Sequence, residues 1–138
     1  MAEQINALVV HAKDECYHDL TRLLASLSIK VIHAQSCRQA AVHLKREGAI
    51  DLVFAGTSLQ DGGWADVLRL AQQARSYIPV IVVSRMLDVA VYLDSLGRGA
   101  FDFLTPPFVT SDLAHIIRSA IYKGLVSGKQ DLAAPPAA

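Results

Sequence analysis

Short apolar runs alternate along the chain with longer stretches in which apolar residues recur at helical spacing. Residues 5–10 are apolar except for Asn6, the pattern of a strand buried on both faces. Over 14–27, Tyr17, Leu20, Leu23, Leu24 and Leu27 recur at three- and four-residue intervals and predict an amphipathic helix. A second strand is expected over 29–33. Ser36 then caps a helix that turns Ala40, Ala41 and Leu44 inward and stops at Gly48. A third strand covers 50–55, and 56–63 is a loop closed by two glycines. Val67, Leu68 and Ala71 mark a helix over 64–75, and Pro79 opens the β-branched strand 80–83. Residues 87–96 read as a helix with Val89, Leu93 and Leu96 inward and Leu87, Val91 and Tyr92 outward, ended by Gly97 and Gly99. A fifth strand is expected over 101–104. Pro106 and Pro107 break the chain, and Thr110 or Ser111 caps a last helix running to about Val126. Residues 127–138, with Gly128, Pro135 and Pro136 among alanines and polar residues, read as a linker or frayed terminus.

Strict alternation of five strands with five helices predicts one α/β domain over 1–126. Its core is a doubly wound parallel sheet, because parallel strands need right-handed crossovers. Five strands suit the flavodoxin-like (βα)5 order 2-1-3-4-5, whose functional crevice lies at the carboxyl ends of strands 1 and 3. The informative residues are therefore those that follow Val10, Ala55, Val83 and Leu104.

Composition narrows the class of partner. Thirteen basic and thirteen acidic residues cancel in a chain of 138, which argues against direct nucleic-acid binding by this domain. No apolar run is long enough for a membrane span and no signal peptide opens the chain, so the expected setting is cytoplasmic. Cys16 and Cys37 are too few for a disulfide framework and match no zinc spacing.

Several blocks, in order and at the right spacing, are similar to the receiver domain of bacterial two-component response regulators. They are Leu8-Val9-Val10, Asp51-Leu52-Val53, Leu59-Gln60-Asp61-Gly62-Gly63 and Pro79-Val80-Ile81-Val82-Val83-Ser84. The last is Gly99-Ala100-Phe101-Asp102-Phe103-Leu104-Thr105-Pro106-Pro107-Phe108. The resemblance covers residues 7–122. It implies phosphoryl transfer to an aspartate ending strand 3, aided by Mg²⁺ on an acidic pair after strand 1, a hydroxyl after strand 4 and a lysine after strand 5. Carried over residue by residue, the acidic pair falls on His11 and Ala12, the acceptor on Gly56, the hydroxyl on Ser84 and the lysine on Pro106. Only Ser84 keeps the needed group. A hard cation wants carboxylate oxygens, so no Mg²⁺ site and no other cofactor is expected. The resemblance thus implies a degenerate pseudo-receiver, a signalling module rather than an enzyme.

Other residues offer weaker chemistry. Asp14 suits a helix cap and Asp61 a glycine-rich turn, and either is a minor candidate for a metal ligand or acceptor. His11 is a candidate metal ligand or base, although His33, His43 and His115 fall on other elements. Arg85 is a candidate replacement for lost positive charge. The resemblance gives Ser84 and Phe103 the places of the family's switch pair. It also makes the face of helix 4, strand 5 and helix 5 a candidate interface, with Leu87, Val91, Tyr92, His115 and Tyr122 upon it. The expected role is phosphorylation-independent contact with a protein partner, an output (transcription) domain or a second copy. A small-molecule or anion sensor using the emptied crevice is the alternative. An enzyme on this fold is the remote third reading, since no glycine-rich phosphate loop follows strand 1.

Overall fold

A computed structural model describes residues 4–12, 15–46 and 48–133, with backbone alone for 15, 16 and 127–133. The elements run β1 (Asn6–Val10), α1 (Glu15–Ser26), β2 (Lys30–Ala34), α2 (Cys37–Leu44), β3 (Leu52–Gly56) and α3 (Trp64–Gln72). They continue with β4 (Val80–Val83), α4 (Val89–Gly97), β5 (Asp102–Leu104) and α5 (Thr110–Ala133). The five strands form one parallel sheet in the order β2-β1-β3-β4-β5. Between β3 and α3, Ser58–Leu59 pairs with Gly62–Gly63 in a two-residue antiparallel ladder.

Side-chain alternation along the strands builds two cores. Leu8, Val10, Val53, Ala55, Val80 and Val82 face α2 and α3. Ala7, Val9, Leu52, Phe54, Ile81 and Val83 face α1 and α5. β3 and β4 are buried along their whole length, so both faces of the apolar runs carry packing worth about 1.5–3 kcal/mol for each large side chain. Register between β1 and β3 is fixed at their start. The Asp51 carboxylate accepts the Asn6 N–H (2.8 Å) and the Asp51 N–H donates to the Asn6 carbonyl (2.9 Å).

Two expectations need correction. α4 begins only at Val89, where the Asp88 carboxylate caps it by accepting the Val91 N–H (3.2 Å). That cap sets a different rotation from the expected one: Val91 packs against the core, whereas Val89 and Leu93 are 60% and 62% exposed. Among the described residues, the fully buried polar one is Ser95, whose hydroxyl donates to the Tyr92 carbonyl (3.0 Å) and so faces inward without an unpaired group. A helix apolar on most of its surface carries little phase information, and a self-satisfied serine is invisible to a hydrophobic pattern. The other correction concerns α5, which continues past Val126 to Ala133. Gly128 costs a helix only about 1 kcal/mol relative to alanine, and no proline intervenes before Pro135. Residues 134–138 lie outside those described. Among the described residues no helix is long and apolar enough to cross a membrane.

Candidate functional site

The crevice forms where β1, β3 and β4 end side by side. Val10 pairs with Ala55, and Gly56 with Val83, so the chain positions following each strand converge there. His11 extends β1 by donating its N–H to the Ala34 carbonyl (3.0 Å). Its Nδ1 lies 2.6 Å from the Ala12 carbonyl oxygen. A carbonyl only accepts, so Nδ1 is the donor, and in the neutral imidazole Nε2 is the nitrogen left with its lone pair. Ala12 is exposed and contributes a methyl group.

The residue that governs the crevice is Tyr17, which periodicity marks only as an inward position of α1. Its ring lies almost parallel to His11, with centroids 4.6 Å apart and 12° between the planes. Its hydroxyl donates to the Val83 carbonyl at 3.0 Å. A Cβ placed on Gly56 would lie 2.7 Å from that hydroxyl and 3.3 Å from the Val10 carbonyl oxygen. The phenol therefore occupies the space in which a side chain at position 56 would begin. Only the pairing of a long aromatic in α1 with a glycine ending β3 could have signalled this contact, and the two are far apart in sequence.

The remaining positions assemble around this plug. Ser84 is half-buried and donates its N–H to the Leu104 carbonyl (3.0 Å). Arg85 is exposed just beyond it. Pro106 is half-buried and joined to Pro107 by a cis peptide bond. Phe103 is buried, with Tyr92 of α4 meeting it edge-on at 5.7 Å and 84°. His33, near the end of β2, meets His11 edge-on at 5.7 Å and 74°. Partial desolvation, and then the charge that His11 would carry, hold the His33 imidazole below its ordinary pKa.

Asp61 does not belong to this cluster. Its carboxylate accepts the N–H groups of Cys37 (2.7 Å) and Arg38 (3.0 Å), so it caps α2 from the loop after β3. Those two bonds hold the carboxyl below its usual range. Burial, with the negative charges of Asp61 and Asp66 nearby, pushes the Cys37 thiol up to about 11. Asp14 and the Cys16 side chain lie outside the described residues. His43 is on α2, and His115 is exposed on α5 with Tyr122. Of the expected interface residues, Leu87, Tyr92, His115 and Tyr122 are exposed, whereas Val91 is packed inward. Among the described residues no group of three or more His, Cys, Asp or Glu side chains is placed to hold a metal ion. A cavity of about 470 Å³ lies at the opposite end of the sheet, lined by Leu44, Leu70 and Ile78 together with Lys45, Arg46 and Arg75.

The sheet order, the crevice at the strand ends and the flanking helices define the fold of a response-regulator receiver domain. Known proteins agree with that class. The chain is 27% identical over 115 residues to the response regulator protein PilR of Pseudomonas aeruginosa, covering 83% of this chain and 26% of that protein. It is 33% identical over 97 residues to the two-component response regulator-like protein APRR1 of Arabidopsis thaliana, covering 68% of this chain and 16% of the relative. The chain thus spans about a quarter or less of the length of these two relatives. Among solved structures, the signal receiver domain of a LuxO repressor protein from Vibrio parahaemolyticus superposes with a TM-score of 0.77. The two chains share 18% identity, covering 91% of this chain and 96% of that one. The receiver domain of a Pseudomonas aeruginosa sensor histidine kinase, which holds a magnesium ion in its cleft, gives 0.74 at 19% identity, covering 86% of this chain and 98% of that one. No family model matches the chain. Sequence relatives and structural neighbours together support a response-regulator receiver domain.

Proposed function

We propose that this chain is a phosphorylation-independent receiver-like domain, a pseudo-receiver that signals by protein–protein contact with an output domain, a partner or a second copy of itself. The observation that carries the reading is the Tyr17 hydroxyl standing 2.7 Å from where a Gly56 Cβ would be. An acceptor carboxylate is absent from that position, and the volume it would need is already filled. The donor set does not fit Mg²⁺ either: an imidazole, a methyl group and a glycine stand where a hard cation needs carboxylate oxygens. Pro106 brings no ammonium to balance a phosphoryl group. No catalytic residue is assigned, and the net charge of zero leaves nucleic-acid contact to other parts of the assembly. A sensor reading, in which a small molecule or anion enters an emptied crevice, requires space beside Gly56 that Tyr17 takes up.

The contact surface of this reading is α4 with its flanking loop and α5. Met86, Leu87, Val89 and Leu93 are each at least 60% exposed, and Tyr122 is 70% exposed. Apolar side chains gathered on one side of a small domain mark an interaction site more often than chance scatter does. Amide NMR with beryllofluoride and Mg²⁺ tests the central claim. The spectrum is expected to stay unchanged. Saturable shifts at Gly56, Val83 and Ser84 would overturn the reading.

A further inference from the structure

An imidazole, His11, stands at one of the positions where the resemblance implies a carboxylate, and this changes the metal preference of the crevice mouth; a second imidazole, His33 of β2, meets it there. His11 follows β1 and His33 belongs to the neighbouring strand β2, so both project from adjacent strand ends. Their ring centroids are 5.7 Å apart. With metal–nitrogen bonds of about 2.0–2.1 Å, two imidazoles on one ion place their centroids roughly 4.5–6.5 Å apart. The observed separation falls inside that range. We propose that His11 and His33 form a binding site for a divalent d-block cation, such as Zn²⁺, Ni²⁺ or Cu²⁺, with water completing its coordination.

The surroundings of His11 suit a ligand held in advance. The Ala12 carbonyl fixes its proton on Nδ1, and the Tyr17 ring holds its plane from one side. Such outer contacts are what orient a ligating histidine and set which nitrogen binds. His33 is exposed, so a cation reaches it from solvent. Imidazole pairs select borderline cations over Mg²⁺, which prefers oxygen. No third His, Cys, Asp or Glu joins them among the described residues. The site is therefore open and exchangeable, in contrast to a closed structural zinc site. A cation there would join the end of β1 to β2 through His11, which stacks on Tyr17, and so would supply the crevice mouth with a ligand other than phosphate.

The test uses the full chain without a histidine tag. Isothermal titration with Zn²⁺ should show one site, and NMR should show saturable shifts of the His11 and His33 imidazole protons. Loss of an outer-shell partner alone weakens a metal site about 10–100-fold, so His33→Gln should weaken Zn²⁺ binding by at least about tenfold. His33 is solvent-exposed, so this variant keeps the fold, which its amide spectrum verifies. His11→Gln should act likewise, and His115→Gln should leave binding unchanged. Absence of saturable shifts in the wild type, or a His33→Gln variant that binds like wild type, would overturn the site. Binding of Mg²⁺ near Gly56 would instead contradict the proposed function and leave this site untouched, so the two failures are distinguishable.

Discussion

The crevice and the outer face of α4 are opposites. At the crevice, Tyr17 closes on Gly56, stacks with His11 and spends its hydroxyl on the Val83 carbonyl. On α4, Val89 and Leu93 are left 60% and 62% exposed. One region is closed by internal packing, and the other leaves apolar area exposed. On the proposed function, a domain built this way does without a small reactive ligand and is read through its outer α4 surface. The difference predicts opposite responses to substitution: crevice changes act on stability, and outer α4 changes act on association.

The largest effect is expected from Gly56→Asp. It places a Cβ against the Tyr17 hydroxyl and drives a carboxylate into a fully buried strand end, costing about 3 kcal/mol or more through overpacking and an unpaired charge. Urea unfolding measures this. The Tyr17→Ala/Gly56→Asp double variant should recover part of the loss, because the ring no longer fills the space. A Gly56→Asp protein as stable as wild type would show that the crevice is not plugged.

Next comes Val91→Asp, expected to cost about 2–3 kcal/mol because Val91 packs against the core beneath α4. This residue also shows where sequence reasoning stops. The strands were legible because a parallel sheet buries both faces, so the runs 5–10 and 80–83 advertise themselves without any knowledge of partners. Which residues stand at the strand ends, His11, Ala12, Gly56 and Pro106, was equally legible, since each is a single position beside a recognisable strand. The rotation of α4 was not, because Leu87, Val89, Val91, Tyr92, Leu93 and Leu96 leave no clear polar face to fix its phase. Nor was the Tyr17–Gly56 contact: periodicity turns Tyr17 inward without saying how far its hydroxyl reaches. The cap that Asp61 gives α2 was hidden for the same reason, being a bond across 24 positions.

Tyr17→Phe keeps the ring and removes the hydroxyl. The Val83 carbonyl then loses a donor at a buried position, and a loss of about 1–2 kcal/mol is expected by urea unfolding. The His11 stacking should survive, read from ring-current shifts of its imidazole protons. An unchanged unfolding midpoint would show that the hydroxyl bond is idle.

Asp61 gives a pH-dependent effect outside both regions, which makes it a control on the comparison. Its folded pKa lies below the ordinary carboxylate value of 3.8 because the N–H groups of Cys37 and Arg38 favour the charged form. Its stabilising contribution is therefore fully present above that ordinary value and is lost as pH falls through the lower folded value. Asp61→Asn should narrow the difference in urea midpoint between pH 7 and pH 3. A variant with the same acid sensitivity as wild type would remove the cap from the account.

The smallest stability effect is expected from Leu93→Asp, within about 0.5 kcal/mol, because an exposed side chain gives up little on folding. Its value lies in the contrast with Val91→Asp, two positions away on the same helix. If the outer face of α4 is the contact surface, Leu93→Asp leaves the unfolding curve in place while abolishing self-association in sedimentation, or capture of an output domain supplied in trans. A Leu93→Asp protein that is destabilised as much as Val91→Asp would mean that α4 packs in the other rotation. A stable variant with unaltered association would move the contact away from α4 altogether. The two substitutions together separate burial from recognition on one helix, which hydrophobicity along the sequence cannot do.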